Sequence, residues 1–221
     1  MAPPVPSGAR GPLARGAWNH AIVAIGAPGS GKSTWLVERV IALASSAGAI
    51  VVAADPEYRI PELSPSGVRY PVARVDSRDQ AIAALRADPR RVIALTSSPD
   101  STLSLALELA AASLAAHGGR AGTPVMLLVD EAVALDGAGI YRLGDELRRV
   151  LVGRRHLHFG IAITLQEASI AHRAIVALST EIAIFRVGDP VTIGRLRARG
   201  VPRAILDSAP TLAPHRCYVH R

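Results

Sequence analysis

Cysteine is almost absent from this 221-residue chain, where Cys217 stands alone. A single thiol cannot close an intrachain disulfide, so a cystine-stapled secreted scaffold is excluded and a reduced, intracellular setting is expected. Aromatic residues are only 4% of the total, too few for a surface that grips unpaired bases by stacking. Long apolar runs are missing as well. A membrane-spanning helix needs about 17–25 mostly apolar residues, and the longest candidates here are broken by Glu108 or by Asp130 and Glu131. No membrane association is expected. Lysine is the scarcest charged residue: of 25 basic residues only Lys32 is not an arginine. A GC-rich coding sequence accounts for the bias, but it leaves Lys32 as the one position that kept a compact ammonium.

What is present points to a folded α/β domain. Hydrophobic residues make up 49% of the chain and charged ones 19%, with mean hydropathy +0.27. That composition excludes a wholly disordered chain, and a domain of this length buries roughly 70% of its unfolded surface. Residues 1–17, with Pro3, Pro4, Pro6, Pro12 and three glycines, read as a flexible arm and not as a signal peptide. Short aliphatic runs then alternate with longer helical stretches. Strands are expected at His20–Ile25, Ile50–Ala54, Val68–Val75, Arg91–Thr96, Val125–Val129, His158–Thr164 and Glu181–Val187, with a possible one at Arg216–His220. Helices are expected at Lys32–Ala47, Arg78–Ala87, Ser101–His117, Ile140–Val152, Glu167–Leu178 and Val191–Arg199. Fully apolar strands separated by helices indicate a mainly parallel central sheet flanked by helices, a three-layer α/β architecture. Residues 18–200 form the domain, and 201–221 a basic C-terminal tail packed on it or extending from it.

Gly26-Ala27-Pro28-Gly29-Ser30-Gly31-Lys32-Ser33, followed by Thr34, matches G-x-x-x-x-G-K-[ST] between an expected strand and an expected helix. Glycines allow a tight turn whose N–H groups converge on an anion, and the next helix adds its positive end. Lys32 then reaches the β- and γ-phosphates and Ser33 ligates Mg²⁺. The glycine spacing does not spell the dinucleotide pattern G-x-G-x-x-G. ATP with Mg²⁺ is the expected cofactor pair, although the loop by itself suits a kinase, a GTPase or a mechanical ATPase.

About a hundred residues on, Val125–Val129 runs into Asp130 and Glu131. Ligands of open α/β sheets bind at the carboxyl ends of strands. Asp130 is placed to hold the metal, and Glu131 to polarise an attacking water, which favours hydrolysis over phosphate transfer. The strand Phe159–Thr164 leads to Gln166, either a helix-start residue or a contact to the γ-phosphate or lytic water. Before it stand Arg154 and Arg155, a basic turn on composition alone, yet able to stabilise a transferring phosphoryl group.

GAPGSGKS, the strand ending Asp55-Pro56-Glu57-Tyr58, LLVDE, GRRH and ITLQE together resemble the FtsK/HerA superfamily of P-loop ATPases, over roughly residues 20–200. The likeness is to its compact members, virus and phage genome-packaging ATPases and small HerA-like proteins; FRVGDPVTIGRLRARG resembles the family's last strand and following helix. The resemblance implies a RecA-like sheet of the additional-strand, catalytic-glutamate type, in which another strand separates the loop strand from the Asp-Glu strand. It also implies a hexameric or pentameric ring that pumps double-stranded DNA, with a capsid or portal-vertex protein as a further partner, in host cytoplasm or on a virion. Carried over, Lys32 and Ser33 bind phosphate and metal, Asp130 supports the metal, Glu131 is the base, Gln166 the sensor and Arg155 the arginine finger acting in trans, with Arg154 the fallback. One departure is that the family's Gln-Arg-Pro reads Gln166-Glu167-Ala168 here.

Duplex tracking needs positive charge. The net charge is +7, and six arginines between Arg195 and Arg221, including Arg197 and Arg199, face one acid, Asp207. Arg142, in a glycine-containing loop after the acids, is a candidate pore residue. The competing readings are a phage-assembly or secretion ATPase acting on protein, a small-molecule kinase, and a non-catalytic nucleotide clamp.

Overall fold

The computed structural model describes residues 18–54, 71–88, 92–96, 104–106, 108–109, 123–130, 158–166 and 173–221. In chain order these form β1 (Ala21–Ile25), α1 (Lys32–Ala47), β2 (Ile50–Ala54), β3 (Val72–Val75), α2 (Arg78–Ala87), β4 (Val92–Leu95), β5 (Val125–Val129), β6 (Phe159–Leu165), α3 (Arg173–Ala177), β7 (Glu181–Ile184), α4 (Pro190–Ala198), α5 (Arg203–Ser208), a 3₁₀ turn at Ala209–Thr211, and β8 (Tyr218–His220). The strands form one sheet in the order β3-β4-β2-β5-β6-β1-β7-β8. Every pairing is parallel except that of β7 with β8. β6 lies between β1, which carries the glycine-rich loop, and β5, which ends at Asp130. This is the inserted strand that the FtsK/HerA resemblance implies.

The layers follow from the two-residue period of a strand. In β5, Val125, Leu127 and Val129 join one core cluster, while Met126 and Leu128 join the other. The second cluster lies under α1, which contributes Leu36, Val37, Val40, Ile41 and Ala44. The sheet meets it with small residues: Ala24, Ala53, Ala94, Ala162 and Ala183. The first cluster takes residues from α2, from Leu105 and Ala106 of the helical residues 104–106, and from α3, α4 and α5. Because both faces are covered, the central strands are apolar throughout, which is why they read as continuous runs.

Helices α1 and α2 and strands β2 and β5 have the expected limits, and β1, β4 and β6 shift by about one residue, within ordinary boundary scatter. The expected helix at Ile140–Val152 lies outside the described residues, as do parts of those at Ser101–His117 and Glu167–Leu178. Helix α5 lies in the 201–221 tail, where no helix is expected from the sequence and where Pro202 and Pro210 stand. Pro202 precedes the first turn, at φ −57°, and Pro210 sits in the 3₁₀ turn. Proline opens a helical turn there because its missing N–H has no intrahelical role. Among the described residues, no helix is long and apolar enough to cross a membrane.

At the amino end of β7, Glu181 ties three elements together. Arg39 of α1 donates two hydrogen bonds of 2.7 Å to its carboxylate, and Arg221, just after β8, adds one of 3.1 Å. Burial alone raises the Glu181 carboxyl. The hydrogen bonds and charge of Arg39, helped by Arg221, outweigh that and hold it below the ordinary glutamate value. His20 is lowered by burial and by the Arg39 charge, against an opposing pull from Glu181. Both groups bind protons more weakly when folded, so their stabilisation is complete above their unfolded values and is lost as pH falls. Loss should begin below about 6.5 for His20 and below about 4.3 for Glu181. Glu181→Gln should cost about 2–3 kcal/mol at pH 7, below the range for a fully buried pair because Arg39 is 28% exposed. Urea melts from pH 7 to 3 test this: the gap between wild type and variant should close with acid, and a constant gap would reject the assignment.

Candidate nucleotide site

The glycine-rich loop leaves β1 at its carboxyl end and is pinned to the strands on both sides. Gly26 N–H donates to Leu165 O of β6 at 3.1 Å, and Ala27 N–H to Arg186 O beyond β7 at 2.7 Å. Gly26 has φ +153°, and a methyl group there would stand 2.6 Å from Phe185 Cβ, so only glycine lets the chain turn between the two strands. Gly31, the N-cap of α1, has φ +98° and makes no side-chain cap. No acid occupies the first turn of α1. The N–H groups that open a helix carry partial positive charge and have no intrahelical acceptor. A helix start of this kind suits an anion.

Lys32 is the first residue of α1 and only 6% exposed. Its Nζ folds back to donate to Ala27 O at 2.9 Å, so the ammonium lies across the loop. One residue on, Ser33 Oγ donates to Asp130 Oδ1 at 2.8 Å, and Thr164 Oγ1 donates to the same oxygen at 2.7 Å. Sheet register explains the convergence. Val129 pairs with Ile163, which brings Asp130 level with Thr164 on the neighbouring strand. Thr164 is fully buried and orients the carboxylate. It was missed as a site residue, although a threonine one residue before the end of the otherwise apolar run FGIAITL was a visible signal.

Gln166 follows β6 directly, one residue beyond the carbonyl that anchors Gly26. Within the loop, Ala27 is half-buried, Pro28 and Gly29 are exposed, Ser30 is buried and Thr34, in the first turn of α1, is exposed. Glu131, Arg142, Arg154 and Arg155 lie outside the described residues. Arg195 and Arg197 belong to α4, and Arg197 is exposed. Arg199 donates through Nη2 to Ser179 O at 2.8 Å and is thereby held against the domain. The two hydroxyl oxygens and the carboxylate are hard donors of the type Mg²⁺ prefers. Ser33 and Asp130 therefore fit such a metal, which would supply charge neutralisation to a bound phosphate.

A glycine-rich loop between strand and helix, an inserted strand, and an acid facing the loop's serine define the P-loop NTPase fold. Solved structures have the same fold. One is the genome packaging NTPase B204 from Sulfolobus turreted icosahedral virus 2 in complex with AMP, with TM-score 0.62 and 15% identity over 91% of this chain and 92% of that one. Another is B204, the DNA-packaging ATPase from Sulfolobus turreted icosahedral virus, with TM-score 0.57 and 14% identity over 90% and 96%. A third is EssC (ATPases 2 and 3) from Geobacillus thermodenitrificans, with TM-score 0.55 and 12% identity, covering 91% of this chain and 37% of that one. No protein-family model and no curated protein matches the chain.

Proposed function

We propose that the chain is one subunit of an oligomeric, ATP-hydrolysing motor that moves double-stranded DNA, in the setting of packaging a viral or phage genome into a capsid. The observation that carries this reading is the hydroxyl–carboxylate cluster of Ser33, Asp130 and Thr164 beside the uncapped start of α1. Such a cluster serves a metal-bound polyphosphate. The fold shared with two packaging enzymes supports the cargo.

In this mechanism the loop from Gly26 to Thr34 wraps the phosphates, with the N–H donors coming from Gly29 onward because those of Gly26 and Ala27 bond the flanking strands and Pro28 has none. Lys32 leaves the Ala27 carbonyl to pair with the β- and γ-phosphates. Ser33 and Asp130 hold Mg²⁺. Glu131 takes a proton from the attacking water, and Gln166 reads the γ-phosphate position. Arg155, or Arg154, reaches the site of the neighbouring subunit in a hexameric or pentameric ring and stabilises charge on the departing phosphoryl group. Arg142, Arg195 and Arg197 face the duplex backbone, while Arg199, already bonded to Ser179 O, contributes field only. A capsid or portal-vertex protein supplies docking in the host cytoplasm or on the virion.

The test is ATP hydrolysis with and without linear duplex DNA. Turnover should rise several-fold with DNA. That stimulation should fall steeply between about 50 and 200 mM salt, as phosphate contacts are screened. Unchanged turnover at saturating DNA would reject a DNA motor, and transfer of phosphate to an organic acceptor would point to a kinase.

A further inference from the structure

We infer that the turn at His215 is a clasp that sets the orientation of the phosphate-loop peptide between Ser30 and Gly31, making His215 a positioning residue for nucleotide binding. This rests on the phosphate-site reading above. The backbone N–H of His215 donates to Ser30 O at 2.9 Å, a contact spanning almost the whole sequence. In a planar trans peptide the C=O and the following N–H point in opposite directions. Holding Ser30 O toward His215 therefore aims the Gly31 N–H away from His215. Among the described residues that N–H has no acceptor.

Two further observations support a built contact. A methyl group at Gly31 would stand 2.6 Å from His215 Nδ1 and 3.3 Å from its Cα, so the imidazole packs directly on the glycine. His215 itself has φ +60°, a left-handed conformation uncommon for non-glycine residues, though histidine adopts it more often than most. Its surroundings are firm on both sides. Before the turn, Val187 N–H donates to Ala209 O, and Arg216 N–H closes the turn onto Ala213 O. After it, β8 pairs with β7 from Tyr218 onward, and Arg221 is bonded to Glu181. The Ser30 hydroxyl is buried and makes no hydrogen bond among the described residues, so the loop's own side chain does not do this work.

The test compares His215→Pro, which removes the N–H and forbids positive φ, with His215→Asn, which keeps the donor and tolerates the left-handed region. Three readouts are used: hydrogen exchange of the segment 26–34 without nucleotide, Kd for a fluorescent ATP analogue with Mg²⁺, and the KM and kcat of hydrolysis. In His215→Pro, exchange, Kd and KM should each rise about tenfold, the worth of one good hydrogen bond, with kcat changed by less than about threefold. His215→Asn should restore all of them. Wild-type exchange and affinity in His215→Pro, with the fold retained by circular dichroism, would overturn the clasp. If that variant does not fold, wild-type exchange decides: a His215 amide as fast as in a free peptide overturns it, and protection in step with the loop supports it. A wild-type chain that binds no ATP analogue defeats the phosphate-site reading, and loop exchange in His215→Pro then judges the clasp separately.

Discussion

Exchanging Lys32 for arginine keeps the charge and should still lower ATP turnover by about 10²–10³-fold, the usual cost of removing one donor aimed at developing charge. The side chain is 6% exposed and its Nζ already reaches back to Ala27 O, so it lies folded within the loop's own curve. An ammonium on a flexible stem can pivot there from carbonyl to phosphate. A guanidinium is planar and wider, and its fork needs two acceptors in one plane. Because arginine fills every other basic position in the chain, the substitution also separates coding bias from chemistry. Steady-state hydrolysis and nucleotide titration check it; near-normal turnover would mean that the ammonium is not among the phosphates.

Glu131→Gln should have a comparable or larger effect on turnover with little effect on binding. The residue follows Asp130, which stands at the carboxyl end of β5 and accepts hydrogen bonds from Ser33 and Thr164. The two carboxylates then divide the work. On the function proposed above, Asp130 would hold the metal beside Ser33 and Glu131 would take the proton from water. An amide of the same shape orients water but accepts no proton at neutral pH. Losing a general base costs about 10²–10⁴-fold, while affinity for ATP, set by the loop and metal, should change by less than a few-fold. Single-turnover hydrolysis beside an equilibrium binding measurement separates the two, and retained turnover would move the base elsewhere.

Much of the site was legible because it depends on local rules. Gly26 and Gly31 stand where the backbone takes positive φ, Lys32 and Ser33 follow on the first turn of α1, and Asp130 ends an aliphatic strand. Each is a short-range consequence of residue type. Thr164 was harder to see, since a threonine at the end of a strand is ordinary until register brings it level with Asp130. The contact of His215 with Ser30 could not be read at all, because nothing in a Pro-His-Arg turn announces a partner at the other end of the chain. The C-terminal segment read only as a basic tail, yet its backbone uses Pro202 and Pro210 to open α5 and the 3₁₀ turn.

The chain by itself thus determined the order of strands and helices, the burial of both sheet faces, and the phosphate-binding character of its glycine-rich loop. All of these follow from side-chain periodicity and backbone sterics over a few residues. Only the tertiary structure decided that the strand inserted between β1 and β5 is β6, that Ser33 and Thr164 share one oxygen of Asp130, and that the turn before the last strand returns to Ser30 of the loop. Those depend on which strands lie side by side, a choice made by packing the whole sheet against its helices, which no local stretch of residues encodes.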